Sequence, residues 1–173
     1  MVGIHDGIHD GMHDGIHDGM SVRIDDAGYE FIKQWEGVRN KAYRDSAGIP
    51  TIGIGFIRYK VGARAGTRVQ MQDYLTDDEI KAEFTVQIAA YEDAVAEAVK
   101  VPLTQSQVNA LVSLCYNIGA SAFKGSTVVR ELNQRKYQAA CTAIGMWNKA
   151  GGRVVQGLVN RRKAEQAEFF RNG

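Results

Sequence analysis

The run WEGVRNKAYRDSAGIPTIGIG, residues 35–55, constrains this chain more than any other stretch. Phe31, Ile32 and Trp35 form an apolar helical stripe that leads to Glu36, and Gly37 follows as a stop. Asp45 then falls in a polar turn between Arg44 and Ser46. Gly48-Ile49-Pro50 reads as a second turn, and Thr51-Ile52-Gly53-Ile54-Gly55 reads as a Gly-alternating strand. The pattern predicts a helix feeding a small hairpin or meander, with Gly53 and Gly55 allowing the close backbone approach that a cleft needs.

The remainder is mostly helical. Asp25 or Asp26 caps a helix running to Glu36. Thr76-Asp77-Asp78-Glu79 is a capping box opening a long helix to about residue 100, with Ile80, Phe84, Ile88, Tyr91, Val95 and Val99 at helical spacing. Pro102 ends it. Thr104-Gln105-Ser106-Gln107 opens a second helix through Val108, Leu111, Val112, Cys115 and Ile118, stopped by Gly119. Further helices are expected at about 126–134, 137–147 and 159–171, and a polar loop at 61–74. The fold class is α+β, mainly helical. A hairpin lobe (about 21–75) holds the carboxylates, a connecting helix spans about 76–100, and an all-helical lobe occupies about 101–173. The cleft is expected between the lobes.

The chemistry follows from the carboxylates. Cleaving a glycosidic bond needs one protonated carboxyl at the leaving oxygen and one ionised partner. Apolar surroundings favour the protonated form and polar ones the ionised form. Glu36, on its apolar stripe, is therefore assigned as general acid, Asp45 as its ionised partner, and Thr51 as the hydroxyl that orients water or base. Zinc amidases require His ligands and thiol peptidases pair Cys with His. Residues 21–173 contain no His, which disfavours both classes. Cys115 and Cys141 fall on apolar helical stripes and read as buried thiols.

The run resembles the active-site segment of the phage-type lysozymes, glycoside hydrolase family 24. The resemblance extends from about Ser21 to Phe170. It continues through Gln107-Val108-Asn109-Ala110-Leu111-Val112-Ser113, Tyr116-Asn117-Ile118-Gly119, Phe123-Lys124-Gly125-Ser126-Thr127, Met146-Trp147-Asn148 and Gly157-Leu158-Val159-Asn160-Arg161-Arg162. It implies a two-lobe lysozyme-like fold with Glu36, Asp45 and Thr51 as the catalytic trio. The implied activity is a muramidase that hydrolyses the β-1,4 bond between N-acetylmuramic acid and N-acetylglucosamine with inversion, which calls for a carboxyl separation of roughly 6.5–9.5 Å. Tyr116, Asn117 and Ser126 match sugar-contacting positions, and Arg161 or Arg162 matches an Arg that holds the acid. No cofactor is implied. Many members place His after the G-x-G strand. Phe56 stands there in this chain, so that structural ion pair must be replaced by packing. The alternatives are a lytic transglycosylase, which typically relies on a single Glu, and a non-catalytic peptidoglycan- or metal-binding module.

Residues 3–18 are four copies of G-[IM]-H-D, a low-complexity extension (residues 1–20) ahead of a domain at 21–173. Its His5, His9, His13 and His17, each beside an Asp, form a speculative metal set. The net charge of +1 hides an asymmetry: after residue 20, 21 basic residues face 16 acidic ones. Such a basic domain suits an anionic wall surface. The basic residues are scattered rather than interleaved with aromatics, which disfavours nucleic acid as a partner. No run of 18 apolar residues predicts a transmembrane span, and no secretory signal is read at the N-terminus. The expected partner is peptidoglycan, and the expected state is a monomer. The expected route is synthesis in the host cytoplasm, then release to the periplasm and wall through a separate holin-like protein.

Overall fold

A computed structural model describes residues 22–171 and the backbone of residues 16 and 17. Strand β1 (Ile16–His17) pairs antiparallel with β4 (Leu103–Thr104). Most of the Gly-His-Asp repeat, with His5, His9 and His13, lies outside the described residues, as does the His17 side chain.

Helix α1 (Asp26–Glu36) starts where Asp25 Oδ1 accepts from the Gly28 amide at 3.0 Å. Asn109 Nδ2 donates to the same oxygen at 2.8 Å, fastening α1 to helix α4 (Gln105–Ile118). A Cβ at Gly28 would lie 2.4 Å from Asn109 Oδ1, so glycine sets how closely these helices approach. Gly37, at φ +76°, stops α1.

Strands β2 (Arg39–Arg44) and β3 (Pro50–Gly53) form the expected hairpin, pairing Tyr43 with Thr51 and Arg44 with Pro50. The expected strand through Gly55 does not continue. Gly53 and Gly55 sit at φ +66° and +79°, and the chain turns back so that Ile52 and Phe56 exchange amide hydrogen bonds of 2.9 and 2.8 Å. Left-handed backbone at both glycines converts the alternation into a tight turn. Phe56 is fully buried, with its ring over Gly53. The expected loop at 61–74 contains a 3-10 turn (Gly62–Arg64), and Tyr74 bridges back to Lys41.

The connecting helix is two helices, α2 (Asp77–Gln87) and α3 (Ala89–Ala98), with a joint at Ile88. Both expected capping boxes are formed, at Thr76/Glu79 and Thr104/Gln107. At the joint the Ile88 carbonyl takes both the Tyr91 and Glu92 amides, a local tightening of the ladder. The apolar stripe crosses the joint intact: Ile80, Phe84, Ile88, Val95 and Val99 are buried.

Helix α4 is the centre of the molecule, buried without interruption from Ser106 to Cys115. Around it lie α5 (Ala120–Lys124), α6 (Thr127–Asn133), α7 (Tyr137–Ile144) and α8 (Gln156–Phe169). Cys115 and Cys141 are free, buried thiols, and burial pushes Cys115 up to about 12. The C-terminal part is not all-helical. Strands β5 (Lys149–Ala150) and β6 (Arg153–Val154) form a small hairpin whose turn, Gly151-Gly152, has φ +58° and +77°. Two consecutive positive-φ residues match a primed hairpin turn. Helix α8 starts at Gln156, three residues before the expected 159.

Candidate active site

Glu36 occupies the last position of α1, where the helix hands the chain to the hairpin. Its side chain is 23% exposed and faces a cavity of about 440 Å³ lined by Gly55, Ile57, Lys60, Gln87, Ala90, Tyr91 and Tyr116. The walls therefore come from the Gly53–Gly55 turn, the α2–α3 joint and the end of α4. Glu36 Oε1 accepts from Arg161 Nη1 at 2.6 Å, a part-buried charge-assisted contact. Glu36 Oε2 makes no hydrogen bond among the described residues. Of the two arginines expected as partners, Arg161 makes the contact. Arg162 instead donates to the Trp147 carbonyl and pairs with Glu165.

Asp45 and Thr51 are brought together by the peptide groups of Ile49. Asp45 Oδ1 accepts from the Ala47 and Ile49 amides, both at 2.9 Å. Thr51 Oγ1 donates to the Ile49 carbonyl at 2.8 Å, and the Asp45 amide donates to that same carbonyl at 3.0 Å. This turn fixes Asp45 with Oδ2 free of hydrogen bonds among the described residues. Thr51 is 3% exposed and its hydroxyl hydrogen is committed to Ile49, so its oxygen remains available as an acceptor. Neither residue lines the cavity around Glu36. They stand in the hairpin that follows it.

The three expected sugar contacts separate. Tyr116 lines the cavity, packs edge-on against Phe84 and Tyr91, and donates to the Ile54 carbonyl at 2.6 Å. It thereby ties α4 to the glycine turn. Burial, and then the Glu36 charge, push its hydroxyl pKa up. Asn117 is exposed one residue on. Ser126 is buried and caps α6, accepting from the Val129 amide at 3.3 Å and donating to the Phe123 carbonyl at 2.7 Å. In this structure its hydroxyl serves as the α6 cap. The phrase Gly125-Ser126-Thr127 ahead of an apolar helix carries a cap signal that accounts for it.

Sequence reasoning missed Glu165 and Ser113. Ser113 Oγ donates to Glu165 Oε2 at 2.6 Å, and Arg161 Nη2 reaches the Ser113 carbonyl and hydroxyl, both at 3.2 Å. Arg161 Nε reaches Glu165 Oε2 at 3.3 Å. The signal was present as the i, i+4 spacing of Arg161 and Glu165 on one helix. Lys60, also missed, lines the cavity, and its amide is held by both Glu83 oxygens at 2.9 Å.

Comparison with known proteins bears on the family and the fold. The family model described as phage lysozyme matches residues 33–165. The endolysin of Salmonella phage P22 is 43% identical over 149 residues, covering 86% of this chain and 99% of that one. A crystal structure of a point mutant of P22 lysozyme superposes with a TM-score of 0.79 at 42% identity, over 87% of this chain and 99% of that one. The muramidase domain of SpmX from Asticaccaulis excentricus gives a TM-score of 0.71 at 35% identity, over 86% and 98%. With this fold and these relatives, the chain belongs to the phage lysozyme family, glycosidases that hydrolyse peptidoglycan.

Proposed function

We propose that this enzyme is an endolysin of muramidase type. In this reading Glu36 protonates the glycosidic oxygen, and Asp45, with Thr51, holds and activates the water that attacks the anomeric carbon from the opposite face. The observation that carries it is the division of labour within the Glu36 carboxyl. Oε1 is anchored on Arg161, and Oε2 is left for the substrate beside a cavity of about 440 Å³.

An anchored carboxyl holds its geometry before substrate arrives, which lowers the cost of reaching the transition state. Arg161 also pairs with Glu165, so one guanidinium serves two carboxylates. At Asp45 two amides hold Oδ1 and leave Oδ2 for water. The aromatic faces of Tyr91 and Tyr116 and the Gln87 amide suit a saccharide. The bond between N-acetylmuramic acid and N-acetylglucosamine, inversion at the anomeric carbon and a monomeric enzyme complete the reading. So does a cytoplasmic origin, followed by release to the host wall through a separate holin-like protein.

Glu36→Gln tests the assignment. The amide keeps the shape and the Arg161 contact but cannot give up a proton, so turnover of isolated Gram-negative peptidoglycan should vanish at an unchanged melting temperature. More than about a tenth of native activity would remove Glu36 from the acid role, given the size of general acid contributions.

A further inference from the structure

Glu165 is fully buried on α8, yet no step of the reaction uses it directly. Its Oε2 takes bonds from Ser113 Oγ, Arg161 Nε and Arg162 Nη2 at 2.6, 3.3 and 3.3 Å. Its Oε1 lies 2.7 Å from Arg162 Nε, off hydrogen-bond geometry, so that contact is an ion pair alone. Arg161 is 5% exposed at its side chain and Arg162 2%. The cluster thus holds two guanidinium groups against two carboxylates, Glu36 and Glu165, and only Glu36 opens to the cavity.

We infer that Glu165 is a positioning residue for the reaction: by sharing Arg161 with Glu36, it sets where the Glu36 carboxyl sits and how readily that carboxyl holds its proton. This rests on the reading of Glu36 as the acid. When Glu36 carries its proton, the cluster has two positive charges and one negative, and Glu165 supplies the negative one. Without that charge, both guanidiniums act on Glu36 alone and favour its ionised, inactive form. Without Arg162 the balance tips the other way. The arrangement makes the two substitutions act in opposite directions, which a purely structural role does not.

The groups facing the cluster are few. Glu36 comes from α1, and Ser113 and Tyr116 from α4. Tyr43 on β2 and Tyr91 on α3 lie close enough to Tyr116 to influence it. Cys141 on α7 packs against the Gln166 carbonyl next to Glu165. Burial weakens both charges of the inner pair, pushing the Glu165 carboxyl up and the Arg162 guanidinium down, while their mutual attraction pulls each back.

The test is the pH profile of kcat/KM on isolated peptidoglycan for the native enzyme, Glu165→Gln, Glu165→Asp and Arg162→Gln. The alkaline limb should move down by about 1 pH unit in Glu165→Gln and up by a similar amount in Arg162→Gln, the range expected for a charge removed within a few ångströms. In Glu165→Gln, kcat should fall about tenfold or more, as small misplacements of a catalytic group do, with KM changing far less. Glu165→Asp, which keeps the charge, should return the limb toward its native position. Limbs that stay put, or move in the same direction in both Gln variants, overturn the inference. If the Gln variants do not fold, carbon NMR titration of Glu165 in the native enzyme decides. The carboxyl should be ionised throughout the active pH range, and a neutral Glu165 there overturns the inference. Glu36→Gln run in parallel separates the two failures. If it stays active, the acid assignment falls. If it is dead while the limbs are unmoved, only the role of Glu165 falls.

Discussion

Gly53 bears on how the turn that follows β3 is packed; the position after Gly55 is central to it. Phe56 fills that position, fully buried, and a Cβ on Gly53 would stand 2.4 and 2.6 Å from its Cε2 and Cδ2 atoms. Gly53→Ala therefore meets two costs. An L-residue at φ +66° costs about 1–2 kcal/mol. Pushing a close-packed ring aside costs about 1–3 kcal/mol. The sum, about 2–5 kcal/mol, is a large part of a typical stability of about 5–15 kcal/mol. For a chain of this size it lowers the melting temperature by roughly 4–20 °C. Gly62→Ala is the control: its φ is +73° but nothing lies within 4 Å of the added methyl, so only the backbone cost of about 1–2 kcal/mol remains. Thermal unfolding followed by circular dichroism measures both. The double variant Gly53→Ala/Phe56→Leu should recover part of the collision cost, as coupled neighbours do. Equal losses in Gly53→Ala and Gly62→Ala would refute the reasoning, because the Phe56 ring would then yield freely rather than hold the turn.

Other substitutions probe the remaining supports. Ser126→Ala should cost about 1 kcal/mol through the lost α6 cap while leaving kcat and KM unchanged, as denaturant melts and turnover assays would show. Tyr116→Phe removes the bond to the Ile54 carbonyl and should cost about 1 kcal/mol, with KM rising because the glycine turn loosens beside the cavity. Buried Glu92 accepts from the Ile24 amide, and burial raises its pKa in the folded state. Its contribution to stability is complete below the ordinary value of 4.5 and is lost as pH rises through the raised folded value. Glu92→Gln should therefore compare least favourably with the parent in acid and gain on it toward neutral pH, read as the difference in melting temperature against pH. Deleting residues 2–19 removes the pairing of β1 with β4, so it should lower stability by about 1 kcal/mol while leaving activity nearly unchanged, as thermal melts and turnover assays would show.

Local rules account for what the sequence disclosed. Asp25, Thr76 and Thr104 declared their helix starts because capping depends on residues three apart along the chain. The stripe from Ile80 to Val99 declared its buried face through spacing alone. The bend at Ile88 was hidden because that stripe continues straight across it. Gly53 and Gly55 showed that the backbone needed freedom but not that it would turn back, since a strand pattern and a positive-φ turn share the same letters. Gly151-Gly152 is a hairpin signal set within a helical pattern, which masks it. At the site, Glu36, Asp45 and Thr51 could be grouped as candidates because they lie within 16 residues of one another. The choice of Arg161 over Arg162 was not, because neighbouring helical residues point about 100° apart and only packing against α4 selects one. Glu165 and Ser113 escaped for the same reason: they are 52 residues apart and meet across two helices.

The central claim is hydrolysis by a two-carboxylate site with Glu36 as acid. Mass spectrometry of the glycan ends released from isolated Gram-negative peptidoglycan, by native enzyme and by Glu36→Gln, tests it most directly. Reducing N-acetylmuramic acid ends from the native enzyme alone are the expected result. Anhydro-muramic ends would contradict it, since the reaction would then proceed without water and leave Asp45 and Thr51 no part in activating one.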